Sequence, residues 1–88
     1  MIKRELKILN KLGIHARPAG MLANTASRFS CEIKLLKDGM EVNAKSIMGI
    51  MTLAAGRGSV IEVTAKGGDE AEAIKALEEL FASKFDEE

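Results

Sequence analysis

The stretch Cys31-Glu32-Ile33-Lys34-Leu35-Leu36-Lys37-Asp38-Gly39-Met40-Glu41-Val42 decides the fold. Cys31, Ile33 and Leu35 alternate with Glu32 and Lys34, the period-two pattern of a strand with one buried and one wet face. Asp38-Gly39 supplies the left-handed backbone of a tight hairpin, so the chain returns antiparallel through Met40, Glu41 and Val42. Outward from this hairpin the alternation recurs twice. Ile2, Arg4, Leu6 and Ile8 alternate with Lys3, Glu5 and Lys7, while Ser59, Ile61, Val63 and Ala65 alternate with Val60, Glu62, Thr64 and Lys66. Gly13, Gly56-Arg57-Gly58 and Gly67-Gly68 punctuate the chain between the regular segments.

Three helices fill the gaps. The first is expected from about Ala16 to Arg28, with Pro18 in its first turn and Ala19, Leu22, Ala23, Ala26 and Phe29 spaced three and four apart. A short one follows Ser46 through Ile47-Met48-Gly49-Ile50-Met51-Thr52-Leu53, with the serine hydroxyl as its cap. The last opens on Asp69, with Glu72 as a capping-box-like partner, and carries the stripe Ile74, Leu77, Phe81 and Phe85; Asp86 to Glu88 are expected to fray. The order β-α-β-β-α-β-α with polar strand faces predicts an α+β open-faced sandwich, a four-stranded, mostly antiparallel sheet with three helices on one face.

At 88 residues the chain suits one domain, 1–88, and its 13 basic and 13 acidic residues leave no net charge. That balance argues against a nucleic-acid arm or a polybasic membrane patch. The three phenylalanines, Phe29, Phe81 and Phe85, all fall at helical or helix-end positions, which disfavours a small RNA-binding sheet with stacked bases. A single cysteine excludes an internal disulfide and a multi-cysteine zinc site, and Cys31 reads as a small buried hydrophobe. No metal or cofactor is expected. With no secretory leader and no apolar run of membrane length, the expected location is cytoplasmic. Lys3, Glu5, Lys7, Glu62 and Lys66 on the open sheet face predict a monomer without membrane insertion.

The one histidine, His15, stands at the expected start of the first helix in Gly13-Ile14-His15-Ala16-Arg17-Pro18-Ala19. Unpaired amides there favour an anion and bias an imidazole towards its neutral, nucleophilic form, and Arg17 adds a cation able to fork onto phosphate oxygens. Two readings follow: a phosphoryl acceptor, or a helix cap beside a solvated surface charge. A stand-alone hydrolase would need a base and an anion clamp around a cleft, and the sequence offers only this one constellation.

Taken together, the chain resembles the HPr family, the histidine-containing phosphocarriers of the phosphoenolpyruvate-dependent phosphotransferase system. The likeness is carried by Leu12-Gly-Ile-His-Ala-Arg-Pro-Ala19, Lys37-Asp-Gly39, Asn43-Ala-Lys-Ser-Ile-Met-Gly-Ile-Met51 and Lys66-Gly-Gly-Asp-Glu70, in order across the chain. The resemblance implies that Enzyme I takes phosphate from phosphoenolpyruvate and passes it to Nδ1 of His15, and that the carrier hands it to EIIA proteins. Such a protein is a covalent intermediate rather than a stand-alone enzyme. It further implies that Ala16, Arg17 and Pro18 hold the phosphate, and that Ser46 is a target of HPr kinase/phosphorylase, whose modification slows transfer. The implied docking patch is Gly20, Met21, Asn24, Ile47, Met48, Gly49, Met51 and Thr52; Met48 and Met51 are expected partly exposed, Ile50 and Leu53 buried. A regulatory relative acting mainly by partner binding, in a nitrogen or carbon-metabolism branch, is the alternative. Leu12, where many sugar-branch members carry a polar residue, leaves the sugar open.

Overall fold

The computed structural model describes residues 1–87 of the chain. The elements run β1 (Ile2–Lys7), α1 (Ala16–Ser27), β2 (Glu32–Lys37), β3 (Met40–Asn43), α2 (Ile47–Thr52), β4 (Val60–Lys66) and α3 (Glu70–Ala82). A short 3-10 turn follows at Lys84–Asp86. The sheet order is β1-β4-β2-β3 and all three pairings are antiparallel, with Ile2 opposite Ala65 on one side of β4 and Ile33 opposite Ala65 on the other. Asp38 and Gly39 both take left-handed backbone angles, φ 50° and 82°, so the β2–β3 hairpin closes as its sequence requires.

The inward alternation becomes the core. Ile33 and Leu35 of β2 and Ile61, Val63 and Ala65 of β4 are buried against Leu22, Ala26, Ile74 and Leu77 from the helices. Burial at both flanks explains why β4, the strand with the unbroken Ile-x-Val-x-Ala series, is interior, while β1 and β3 are edges. The opposite face is charged: Lys3 pairs with Glu62 at 4.0 Å and Lys34 with Glu41 at 3.7 Å. The α+β open-faced sandwich expected from the alternation is the fold observed.

Three local expectations are corrected. The side chain of Asp69 makes no capping bond to α3; it turns instead to the backbone amides of Ser30 at 2.8 Å and Cys31 at 2.9 Å. The reach-back falls to Glu70, whose carboxylate accepts from the Gly67 amide at 3.0 Å, so Glu72 takes no such part. Phe85 does not continue the helical stripe. The helix ends at Ala82, and Lys84, Phe85 and Asp86 all take left-handed angles of φ 55–58°, yet the Phe85 ring is fully buried, 5.1 Å from that of Phe81. An aromatic side chain with a core site to fill outweighs the backbone cost of reversing the chain. For the same reason the segment after it does not fray at Asp86 and Glu87: Glu87 docks onto the start of α1. Glu88 lies outside the described residues.

Candidate functional site

His15 is the residue that precedes α1, with extended backbone (φ −90°, ψ −167°), and its side chain makes no capping bond. Its carbonyl accepts the first helical bond, from Ala19 at 3.0 Å. Pro18 occupies the third helical position, where its missing N–H costs nothing, and is buried. The amides that open towards solvent at this end are therefore those of Ala16 and Arg17, both exposed residues. The loop before the helix is sewn down from below. The Ile14 amide donates to the Ala55 carbonyl at 2.8 Å, and the Gly13 amide donates to the Asn10 carbonyl at 3.2 Å.

The imidazole is held from one side. Nε2 lies 2.9 Å from Oε2 of Glu87, the same oxygen that sits 3.5 Å from the Arg17 guanidinium. Arg17 also donates to the Phe85 carbonyl at 3.3 Å. The second carboxylate oxygen of Glu87 accepts from Asn10 Nδ2 at 3.1 Å, while the same nitrogen donates to the Gly13 carbonyl at 2.6 Å. Asn10 is fully buried and its Oδ1 has no partner among the described residues. Reversing the amide would set that oxygen against two acceptors, so the orientation is fixed by its neighbours. Among the described residues no group hydrogen-bonds Nδ1, and the His15 side chain is 40% exposed. A half-exposed ring whose far nitrogen is engaged and whose near nitrogen is open, beside an arginine and helix-start amides, has the geometry of a nucleophile for an anionic phosphoryl group.

A family model described as the PTS HPr component phosphorylation site matches residues 2–83. The chain belongs to the HPr family. The phosphocarrier protein HPr of Treponema pallidum (strain Nichols) is 49% identical over 88 residues, which is the full length of both chains. Among solved structures, HPr-C-His from Thermoanaerobacter tengcongensis matches with a TM-score of 0.96 and 53% identity, covering 100% of this chain and 99% of that one. A structure described as an HPr dimer from the same organism matches with a TM-score of 0.78 and 53% identity, over 97% of this chain and 98% of that one. The family is that of the phosphotransferase-system phosphocarriers.

The remaining residues singled out in this HPr sequence fall into two groups. Ser46 precedes α2, and its hydroxyl accepts from the Gly49 amide at 3.0 Å while its carbonyl accepts from Ile50. On the helices, Asn24, Ile47, Met48, Met51 and Thr52 are exposed and Gly20, Met21 and Gly49 half-buried, with Met48 the most open at 80%. Ile50 and Leu53 are buried, as expected of the inward side. Among the described residues no helix is long and apolar enough to cross a membrane.

Asn10 and Glu87 carry no site expectation from the sequence, and Phe85 is expected there only as part of the inward stripe of the last helix. Asn10 carried one usable signal, a short amide three residues before a glycine in a turn. Glu87 carried none, because its partners lie at the other end of the chain.

Cys31 is buried, and burial, with Asp69 beside it, pushes its thiol upward from the ordinary range. Asp69 is held low, first by the Ser30 amide and then by its bonds to Cys31. This pair ties the start of β2 to the start of α3 and stands apart from the histidine.

Proposed function

We propose that residues 1–88 work as one HPr-like domain that accepts a phosphoryl group from phosphorylated Enzyme I on Nδ1 of His15 and passes it to EIIA proteins. The observation that carries this reading is the pairing at His15: Nε2 engaged at 2.9 Å, Nδ1 without a partner among the described residues, and Arg17 alongside. In the acceptor step the guanidinium of Arg17 and the amides of Ala16 and Arg17 hold the phosphoryl oxygens, with Pro18 shaping the turn beneath them. A single arginine at an open site stabilises the adduct modestly, which suits a carrier that must also release it. Exposure gives two partner proteins access in turn.

Docking is assigned to Gly20, Met21, Asn24, Ile47, Met48, Gly49, Met51 and Thr52. Exposed thioethers adapt to more than one partner surface, which supports this choice. Ser46 is the proposed site of regulatory phosphorylation by HPr kinase/phosphorylase: a phosphate at a helix start is compatible with the fold, while its charge repels an acidic partner surface. The proposed setting is the cytoplasm and the proposed state a monomer, supported by the ion-paired open face of the sheet.

The test is labelling with phosphoenolpyruvate and Enzyme I, followed by mapping under acid-free conditions and transfer to EIIA. The expected result is one phosphoryl group on His15 and none on His15→Ala; full labelling of that variant overturns the reading.

A further inference from the structure

Resting on the reading of His15 as phosphoryl acceptor, we propose that Glu87 is a positioning residue whose carboxylate keeps the imidazole proton on Nε2 and so leaves Nδ1 as the nucleophile. A carboxylate only accepts hydrogen bonds, so its 2.9 Å contact with Nε2 requires a proton on that nitrogen. A neutral imidazole has a single N–H. With the proton on Nε2, the lone pair is on Nδ1, the nitrogen that no group among the described residues engages.

The carboxylate is itself held in place. One oxygen accepts from Asn10 at 3.1 Å, and Asn10 is fully buried and locked by its second bond to the Gly13 carbonyl. The other oxygen contacts both His15 and, at 3.5 Å, Arg17. The Glu87 side chain is only 19% exposed, so this arrangement is shielded on most sides. The chain is brought there by the run of left-handed residues Lys84, Phe85 and Asp86, anchored by the buried Phe85 ring and by the bond from Arg17 to the Phe85 carbonyl. A non-glycine residue rarely adopts that conformation alone, and three in succession reverse the backbone towards the start of α1.

In the transfer, the Nδ1 lone pair forms the new N–P bond as the bond from phosphorus to the donor breaks, its electron pair returning to the donor. The His15 ring keeps its Nε2 proton and gains positive charge, which the Glu87 carboxylate offsets. On release the N–P pair returns to the ring, and the tautomer needed for the next cycle is already in place.

Nitrogen-15 NMR of the unphosphorylated protein in mildly alkaline buffer reads the tautomer directly. The parent is expected to carry the proton on Nε2. Glu87→Ala is expected to populate both tautomers, and Glu87→Gln, with one acceptor oxygen for the two donors of Asn10 and His15, to lose part of the parent preference. With phosphorylated Enzyme I as donor, Glu87→Ala is expected to lower the initial labelling rate about three- to tenfold, the loss of one charge-assisted bond at a half-exposed site. A parent-like rate or an unchanged tautomer in Glu87→Ala overturns the role of Glu87 while labelling of the parent still upholds His15. A parent that takes no label on His15 overturns the acceptor reading and this role with it.

Discussion

The amide of Ile14 donates to the carbonyl of Ala55 at 2.8 Å, tying the loop that presents His15 to the segment leaving α2. This contact admits no side chain at the preceding residue. Gly13 has φ +73°, and a Cβ there would stand 2.5 Å from the Ala55 oxygen and 2.7 Å from Gly56 Cα. Gly13→Ala is therefore expected to destabilise the protein by about 2–4 kcal/mol, combining backbone strain and overlap with rigid main chain. Urea unfolding monitored by circular dichroism checks this; a midpoint equal to the parent's refutes the close approach.

Asp69 contributes to the acid limb of stability. Its carboxyl is held low by the Ser30 and Cys31 amides, so the folded state binds fewer protons than the unfolded chain, whose carboxyl titrates near 3.9. The stabilisation is present above that value and is lost as pH falls through the lowered folded value. Asp69→Asn is expected to flatten the fall of the urea midpoint below about pH 4 relative to the parent. Glu70, held low first by the Gly67 amide, accounts for part of the slope that remains.

Ser46 separates capping from charge. Ser46→Ala removes the acceptor of the Gly49 amide and is expected to cost about 1 kcal/mol. Ser46→Asp keeps an acceptor and is expected to hold the parent's stability while slowing transfer from Enzyme I about tenfold, by repulsion at the proposed docking face. Equal transfer rates for Ser46→Asp and the parent would remove the electrostatic account.

Met48 is 80% exposed, so its replacement tests the proposed docking face without touching the core. Met48→Asp is expected to shift unfolding by no more than about 0.5 kcal/mol and to weaken binding to Enzyme I and EIIA by about 1–2 kcal/mol each. Calorimetric titration against both partners, beside a thermal melt, makes the comparison.

Cys31 should be inert while the protein is folded. Its thiol is buried and pushed upward by desolvation and by Asp69, so little thiolate is present or reachable. Reaction with a disulfide reagent is expected to be slow in native buffer and fast in denaturant; rapid native labelling would show that the site opens.

The sequence by itself determined the elements and the residues that stand at the candidate site. Period-two alternation placed β1, β2 and β4, Asp38-Gly39 the hairpin that adds β3, and Gly13, His15, Arg17 and Pro18 the helix start with its histidine and arginine, because each of these is written within a few neighbouring residues. Only the tertiary structure put β4 inside the sheet, turned Asp69 away from its own helix towards Ser30 and Cys31, and returned Glu87 to His15. Those outcomes join residues far apart along the chain. They are settled by how the whole core closes, above all by the buried ring of Phe85 that pulls the backbone round, and no local pattern of residue types encodes such closure.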